Sequence, residues 1–137
     1  MAAYLTDTAE RHDWTFSDHL LTTLVVDLSS VRLQSWTLGG SFEVRLGAPF
    51  TLVEAGGARR VVDPERPRSA APLLDLLGQE IVRMVATRAG ALTLAFGGGA
   101  RIETEAHPEY EAWEADLEGP FGRTSYLCGV GGGSPWG

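Results

Sequence analysis

The sequence predicts an α+β fold that is mostly antiparallel β-sheet, arranged as a meander or a partly closed sheet, with one short helix near residues 69–78. Two patterns favour this fold. Short segments alternate apolar and polar residues between glycine turns, and a leucine stripe at helical spacing interrupts them once. The chain has 137 residues, 44% of them hydrophobic and 21% charged, which is typical of one domain around a single core.

Two hairpins carry most of the strand prediction. Phe42, Val44 and Leu46 alternate with polar residues, the segment 31–36 alternates similarly, and Gly39-Gly40 supplies the turn between them. The second hairpin runs from 92–96 through three glycines at 97–99 and returns over 101–105. Further predicted strands cover residues 22–28, 50–54, 59–62, 110–116 and 123–128.

The middle of the chain predicts the helix. A proline-rich loop over 63–68 leads to Ser69 as the N-cap, and Gly78 closes a stripe of leucines. The next stretch, 79–88, fits both helical and strand periodicity, and the break at Gly78 favours a strand. Residues 1–19 are polar without clear periodicity, so we expect a tail or arm there, followed by one β-rich domain over 20–137.

Charge restricts the class of partner. The net charge is −7, every basic residue is arginine, and lysine and asparagine are absent, which is the codon signature of a GC-rich bacterial genome. An acidic surface repels phosphates and anionic lipids, so we expect neither nucleic acid nor membrane as a partner. A single cysteine, Cys128, and an N-terminus without a basic or apolar stretch predict a cytoplasmic protein.

Three motifs point to a known family. They are the segment 47–52, which matches a Gly-Pro-Phe-x-Leu strand with an inserted Ala48, the Pro-Leu-Leu-x-Leu-x-Gly run at 72–78, and Tyr-Glu-Ala-Trp-Glu at 110–114. Over about residues 20–137 the chain resembles a family of small actinobacterial proteins known only as a domain of unknown function. The resemblance implies a strand-rich fold and no established activity. Small proteins of this kind look like immunity or partner-binding modules.

A row of polar residues at alternate positions is the strongest metal candidate. Glu103, Glu105, His107, Glu109 and Glu111 would share one strand face, and carboxylates suit Mg²⁺, Ca²⁺ or Mn²⁺. Pro108 interrupts the alternation, however, and carboxylates six residues apart on a strand are about 20 Å apart. The row therefore predicts a solvated sheet face, with no metal site.

Other motifs also lack a full set of chemical groups. His12-Asp13 and Asp18-His19 have no third metal ligand at a convincing spacing. The glycine cluster at 129–133 has no following helix, and a phosphate loop needs the lysine that this chain lacks. We therefore predict no catalytic residues and no cofactor.

The acidic, aromatic segment is the predicted binding site. Seven of the eighteen carboxylates lie between Glu103 and Glu118, and aromatic residues dominate interface hot spots. The candidate binding residues are Tyr110, Glu111, Trp113, Glu114, Glu103 and Glu105. For Trp113 two interpretations stay open, core packing and surface recognition.

These observations favour a non-catalytic protein-binding module. Its partner would be a protein, for example a basic toxin that an acidic bacterial immunity protein neutralises. The alternative is a small β-rich enzyme or ligand-binding protein with an aromatic-lined pocket. The aromatics available for it are Trp36, Phe42, Phe50, Phe96, Tyr110 and Trp113. A self-associating structural subunit is a third hypothesis, so the oligomeric state stays open.

Overall fold

A computed structural model describes residues 2–7, 11–37, 40–107, 112–119 and 122–129. These residues form twelve strands and one 3-10 helix. The first half contains β1 (Ala2–Asp7), β2 (Arg11–Ser17), β3 (Thr23–Val26), β4 (Val31–Thr37), β5 (Gly40–Leu46), β6 (Phe50–Val53) and β7 (Arg59–Val62). The helix (Pro67–Leu76) is followed by β8 (Ile81–Thr87), β9 (Leu92–Phe96), β10 (Arg101–Thr104), β11 (Trp113–Gly119) and β12 (Gly122–Gly129).

The strands form two open sheets. The first sheet has the order β1-β2-β8-β9-β10-β6-β7, and the second has the order β12-β11-β5-β4-β3. All the strand pairs in the described residues are antiparallel. The predicted antiparallel class is confirmed, but the arrangement is two sheets instead of one meander or one partly closed sheet. Alternation specifies which side of a strand is apolar, and it carries no information about which strands become neighbours.

One hydrophobic core joins the inner faces of both sheets. Phe16 of β2 contacts Phe42 of β5, with ring centroids 5.2 Å apart and planes at 62°. This edge-to-face packing is a favourable arrangement for two aromatic rings. In the second sheet, Leu33, Val44 and Ala115 are buried on the same side, and the residues next to them in each strand are more exposed or point to the other face. The two sheets therefore form a sandwich.

Both predicted hairpins are confirmed. Strands β4 and β5 pair as far as Thr37 opposite Gly40, although Gly39 lies outside the described residues. Strands β9 and β10 pair across residues 97–99, where Gly99 has a φ of +100°. The ambiguous stretch after Gly78 becomes strand β8.

The helix differs from the prediction in its type and its start. It is a 3-10 helix that begins at Pro67 and contains Pro72, and its N-cap position is Arg66 instead of Ser69. Pro67 is at the start of the helix, where its missing N–H would have no partner in any case, whereas Pro72 removes a backbone donor from the interior and is unfavourable for a regular α-helix. Leu73 and Leu76 are buried at a spacing of three residues, whereas Leu74 and Leu77 are exposed.

The segment predicted as a tail or arm contributes two strands. Strand β1 is at the edge of the first sheet, and β2 pairs with β8. Trp14 and Phe16 are buried at alternate positions of β2, and this short alternation is the signal for a strand there. Within the described part of the chain, no helix is long and apolar enough to cross a membrane.

Candidate functional site

A cleft of about 390 Å³ lies among the loops at one end of the sandwich. Four segments border it: the β3–β4 turn, the β5–β6 loop, the loop that follows β7, and the residue His107 beyond β10. Loops at the end of a rigid sandwich are free to carry binding residues, because the sheets already bury the core. The lining residues are Leu28, Ser29, Gly47, Pro49, Asp63, Pro64, Glu65 and His107.

Asp27 shapes the first wall of the cleft. One of its carboxylate oxygens accepts hydrogen bonds from the backbone amides of Ser29 at 2.9 Å and Ser30 at 2.8 Å. These two bonds hold the pKa of Asp27 below its ordinary value. The closed turn leaves the side chain of Leu28 88% exposed at the rim. Leu28 is therefore accessible to another molecule that enters the cleft.

Asp63 and Ser69 shape the opposite wall. The Ser69 hydroxyl accepts a hydrogen bond from the backbone amide of Asp63 at 2.8 Å and donates to the carbonyl oxygen of Arg66 at 2.7 Å. The Asp63 carboxylate in turn accepts from the amide of Glu65 at 3.0 Å. The loop is therefore held from both ends, and the exposed carboxylate of Glu65 lies beside a fixed backbone.

The cleft combines negative charge with one imidazole. Asp63, Glu65 and His107 line it together. Within the described residues, no group of three His, Cys, Asp or Glu side chains is placed to hold a metal ion. The two carboxylates favour a positively charged group in the cleft.

Trp113, the central residue of the predicted binding segment, is fully buried. Its indole Nε1 donates a hydrogen bond to the carbonyl oxygen of Gly90 at 2.8 Å. Of the two interpretations left open by the sequence, the structure therefore shows core packing. The neighbouring Glu114 is on the outer face of the second sheet, where its carboxylate is 3.9 Å from the Arg45 guanidinium.

Two of the predicted binding carboxylates, Glu103 and Glu105, line one cavity of about 230 Å³ on the first sheet together with Arg59, whereas Glu114 is on the second sheet. Glu103 is on the outer face of the first sheet and accepts hydrogen bonds from Arg101 at 3.1 Å and Arg59 at 2.7 Å. Both hydrogen bonds lower the pKa of Glu103, and the bond from Arg101 has the larger effect. Glu105 is exposed just after β10. Tyr110 and Glu111 lie outside the described residues.

The aromatic residues of the alternative pocket are dispersed. Phe42, Phe50 and Phe96 are packed in the core, and Trp36 is exposed on β4. The end cleft and two smaller cavities, of about 190 and 230 Å³, are lined by other residues.

The model of a family of unknown function, DUF6188, matches residues 18–133. The chain belongs to this family. The DUF6188 match begins directly after β2, so the β1–β2 hairpin precedes it. The predicted family resemblance is thereby confirmed at the level of a family without a known activity. No curated protein and no solved structure matches the chain.

Sequence reasoning missed the cleft residues of this DUF6188 chain. Asp63 and Glu65 fall in the proline-rich loop, and Leu28 ends a predicted strand. The available signal was the pattern Asp27-x-Ser29-Ser30, because an aspartate followed by serines is typical of a turn closed by its own carboxylate. That signal places Leu28 at the exposed tip of a turn.

Proposed function

We propose that this protein is a non-catalytic protein-binding module whose end cleft receives a basic segment of its partner. The observation that carries the proposal is the position of Leu28, 88% exposed, at the rim of a cleft that bears Asp63 and Glu65. Lysine and arginine side chains fit such a site, because their aliphatic stem can pack against Leu28 while their cationic head pairs with the carboxylates.

The net charge of the protein also favours a basic partner. The net charge of −7 attracts a basic partner over a long range and raises the association rate. The cleft has eight lining residues, whereas a stable interface has roughly 20–30 residues on each side and buries roughly 1,200–2,000 Å² in total. We therefore assign it the role of an anchor point within a larger contact. A bacterial, cytoplasmic immunity protein that neutralises a basic toxin is the form of this function that we favour.

Capture from a lysate of the native cell tests the proposal when it is combined with paired variants. We expect the wild type to retain a basic protein whose affinity falls with rising salt, and Leu28→Ser with Glu65→Gln to release it. Val61→Ser with Glu80→Gln is the matched control, because Val61 is also largely exposed and neither residue lines the cleft. Failure to retain a partner, or equal release by both double variants, would contradict the proposal.

A small-molecule site is the second candidate function. The cleft volume of about 390 Å³ is within the range of roughly 300–1,000 Å³ that ligand pockets occupy. A thermal-shift screen against metabolites and divalent metals distinguishes the two functions, because a ligand that binds only the native state raises the melting temperature. Stabilisation that Glu65→Gln abolishes would favour this second function.

A further inference from the structure

Three arginines share one cross-strand row on the outer face of the first sheet. Arg83 of β8 is opposite Ala95 of β9, Ala95 is opposite Arg101 of β10, and the row continues through Val53 to Arg59 of β7. We call Arg83, Arg101 and Arg59 the arginine row. Adjacent strands are roughly 4.8 Å apart, so arginines on every second strand recur at about 9.6 Å.

The neighbouring row carries the carboxylates that hold these guanidinium groups. Asp13 accepts two hydrogen bonds from Arg83, at 2.9 and 2.6 Å, and is also 3.6 Å from Arg11. Glu103 lies between Arg59 and Arg101, as described above. Glu105 lines one cavity of this face with Arg59 and Glu103, so four arginines against three carboxylates leave the face with a charge of +1 on a protein of net charge −7.

The arginines remain available to another molecule. Their side chains are 50% (Arg83), 43% (Arg101) and 58% (Arg59) exposed, whereas the Asp13 carboxylate is only 13% exposed. A guanidinium group has five N–H donors in a fixed planar fork, and one carboxylate occupies at most two of them. The position between Arg83 and Arg101 carries the short side chain of Ala95, so a partner can approach the row closely there, whereas Val53, between Arg101 and Arg59, is buried.

We propose that the arginine row is a docking surface for an acidic α-helix of a protein partner, distinct from the end cleft and independent of the function proposed for it. A helix rises 1.5 Å per residue, so acidic residues seven positions apart recur at about 10.5 Å on nearly the same face. This pitch matches the spacing of the arginine row. Each arginine can then bind one carboxylate of the helix in a charge-assisted pair.

A nucleic acid fits the same surface less well. Duplex DNA carries one negative charge per roughly 1.7 Å of its axis, and most of these charges would meet the acidic remainder of the protein. A helix with one carboxylate per about 10.5 Å presents its charges only where the arginines are.

Titration of the ¹⁵N-labelled protein with synthetic peptides tests the proposal. The probe is an alanine-rich helical peptide with glutamate at every seventh position, and the comparison peptide has the same composition with its glutamates adjacent. At low ionic strength we expect the spaced peptide to shift the arginine side-chain Nε–H resonances of the row and to bind about tenfold more tightly than the comparison peptide.

Two double variants with equal charge complete the test. Arg83→Gln with Arg101→Gln should abolish binding of the spaced peptide, while Arg66→Gln with Arg68→Gln should retain it. Thermal unfolding of each variant shows whether it is folded, and Arg83→Lys with Arg101→Lys should bind weakly, because lysine keeps the charge without the planar fork. Absence of binding, equal affinity for both peptides, or equal loss in both glutamine variants would overturn the proposal. Tighter binding of a single-stranded oligonucleotide would also overturn it, since the face would then be a nucleic-acid surface.

Discussion

The Nε1–H of Trp113 and the carbonyl oxygen of Gly90 form a hydrogen bond of 2.8 Å that ties the two sheets together. Trp113 begins β11 in the second sheet, and Gly90 is in the turn between β8 and β9 in the first. A buried carbonyl oxygen that loses this donor cannot bond to water instead. The indole therefore stabilises the fold both by its packing and by its hydrogen bond to the Gly90 carbonyl.

Replacing Trp113 by phenylalanine should destabilise the fold. The variant leaves the Gly90 carbonyl unpaired and a space where the larger indole was, and we expect the free energy of unfolding to fall by about 2–4 kcal/mol in urea titrations. Trp36→Phe is the control, because Trp36 is 67% exposed and should change stability by less than about 0.5 kcal/mol. Equal effects of the two variants would contradict the role of the hydrogen bond.

Gly90 itself should resist substitution more strongly than another glycine of the same backbone conformation. Gly90 and Gly57 have φ angles of +96° and +95°. A Cβ at Gly90 would overlap the Cβ of Ala106, whereas nothing lies within 4 Å of one at Gly57. We expect Gly57→Ala to cost about 1 kcal/mol through backbone strain alone and Gly90→Ala to cost at least about 2 kcal/mol more. Similar unfolding midpoints would show that the turn relaxes.

Acid should weaken the fold through Asp13. The hydrogen bonds from Arg83 hold the pKa of Asp13 in the folded protein below the ordinary aspartate value of 3.8. A carboxylate whose folded pKa is depressed stabilises the fold above the unfolded pKa, and this contribution is lost as the pH falls from about 4 through the folded pKa. Asp13→Asn should therefore lower stability at pH 7 and flatten the fall below pH 4 in a series of urea titrations. An unchanged acid profile would contradict this assignment.

The hydroxyl of Ser69 should stabilise the wall of the end cleft. Ser69→Ala removes the acceptor for the Asp63 amide and the donor to the Arg66 carbonyl, and we expect a loss of about 1–2 kcal/mol. Ser29→Ala is the matched control in the facing turn, because the Ser29 hydroxyl makes only a long contact of 3.4 Å to Asp27, and it should cost less than about 0.5 kcal/mol. Hydrogen exchange at the Asp63 amide reports the local effect directly.

Local patterns in the sequence predicted most of the strands but not their neighbours. Alternation at Phe42, Val44 and Leu46 specifies a buried face, and the glycines at 97–99 specify a turn, because both depend only on adjacent residues. The pairing of β5 with β11, and of β2 with β8, depends on contacts between distant parts of the chain. Nothing in the residues of one strand specifies such a partner.

The candidate site was harder to predict, because the sequence shows which residues are charged but not which of them the fold buries or pairs with an opposite charge. The sequence shows a concentration of carboxylates from Glu103 to Glu118, yet the fold buries Trp113 within it and pairs Glu103 with two arginines. The arginine row is similarly invisible in the sequence, because Arg59, Arg83 and Arg101 become neighbours only through the strand order.

The strand order has a consequence for how the chain reaches its native state. Asp13 and Arg83 are 70 positions apart in the chain, and the second sheet likewise waits for β11 before β5 gains its second neighbour. The chain loses the entropy of these long loops before the contacts between distant strands stabilise it. A topology of this kind therefore folds in milliseconds to seconds rather than microseconds. During synthesis, β2 leaves the ribosome long before β8, so Trp14 and Phe16 remain without the strand that pairs with β2 until β8 has been translated.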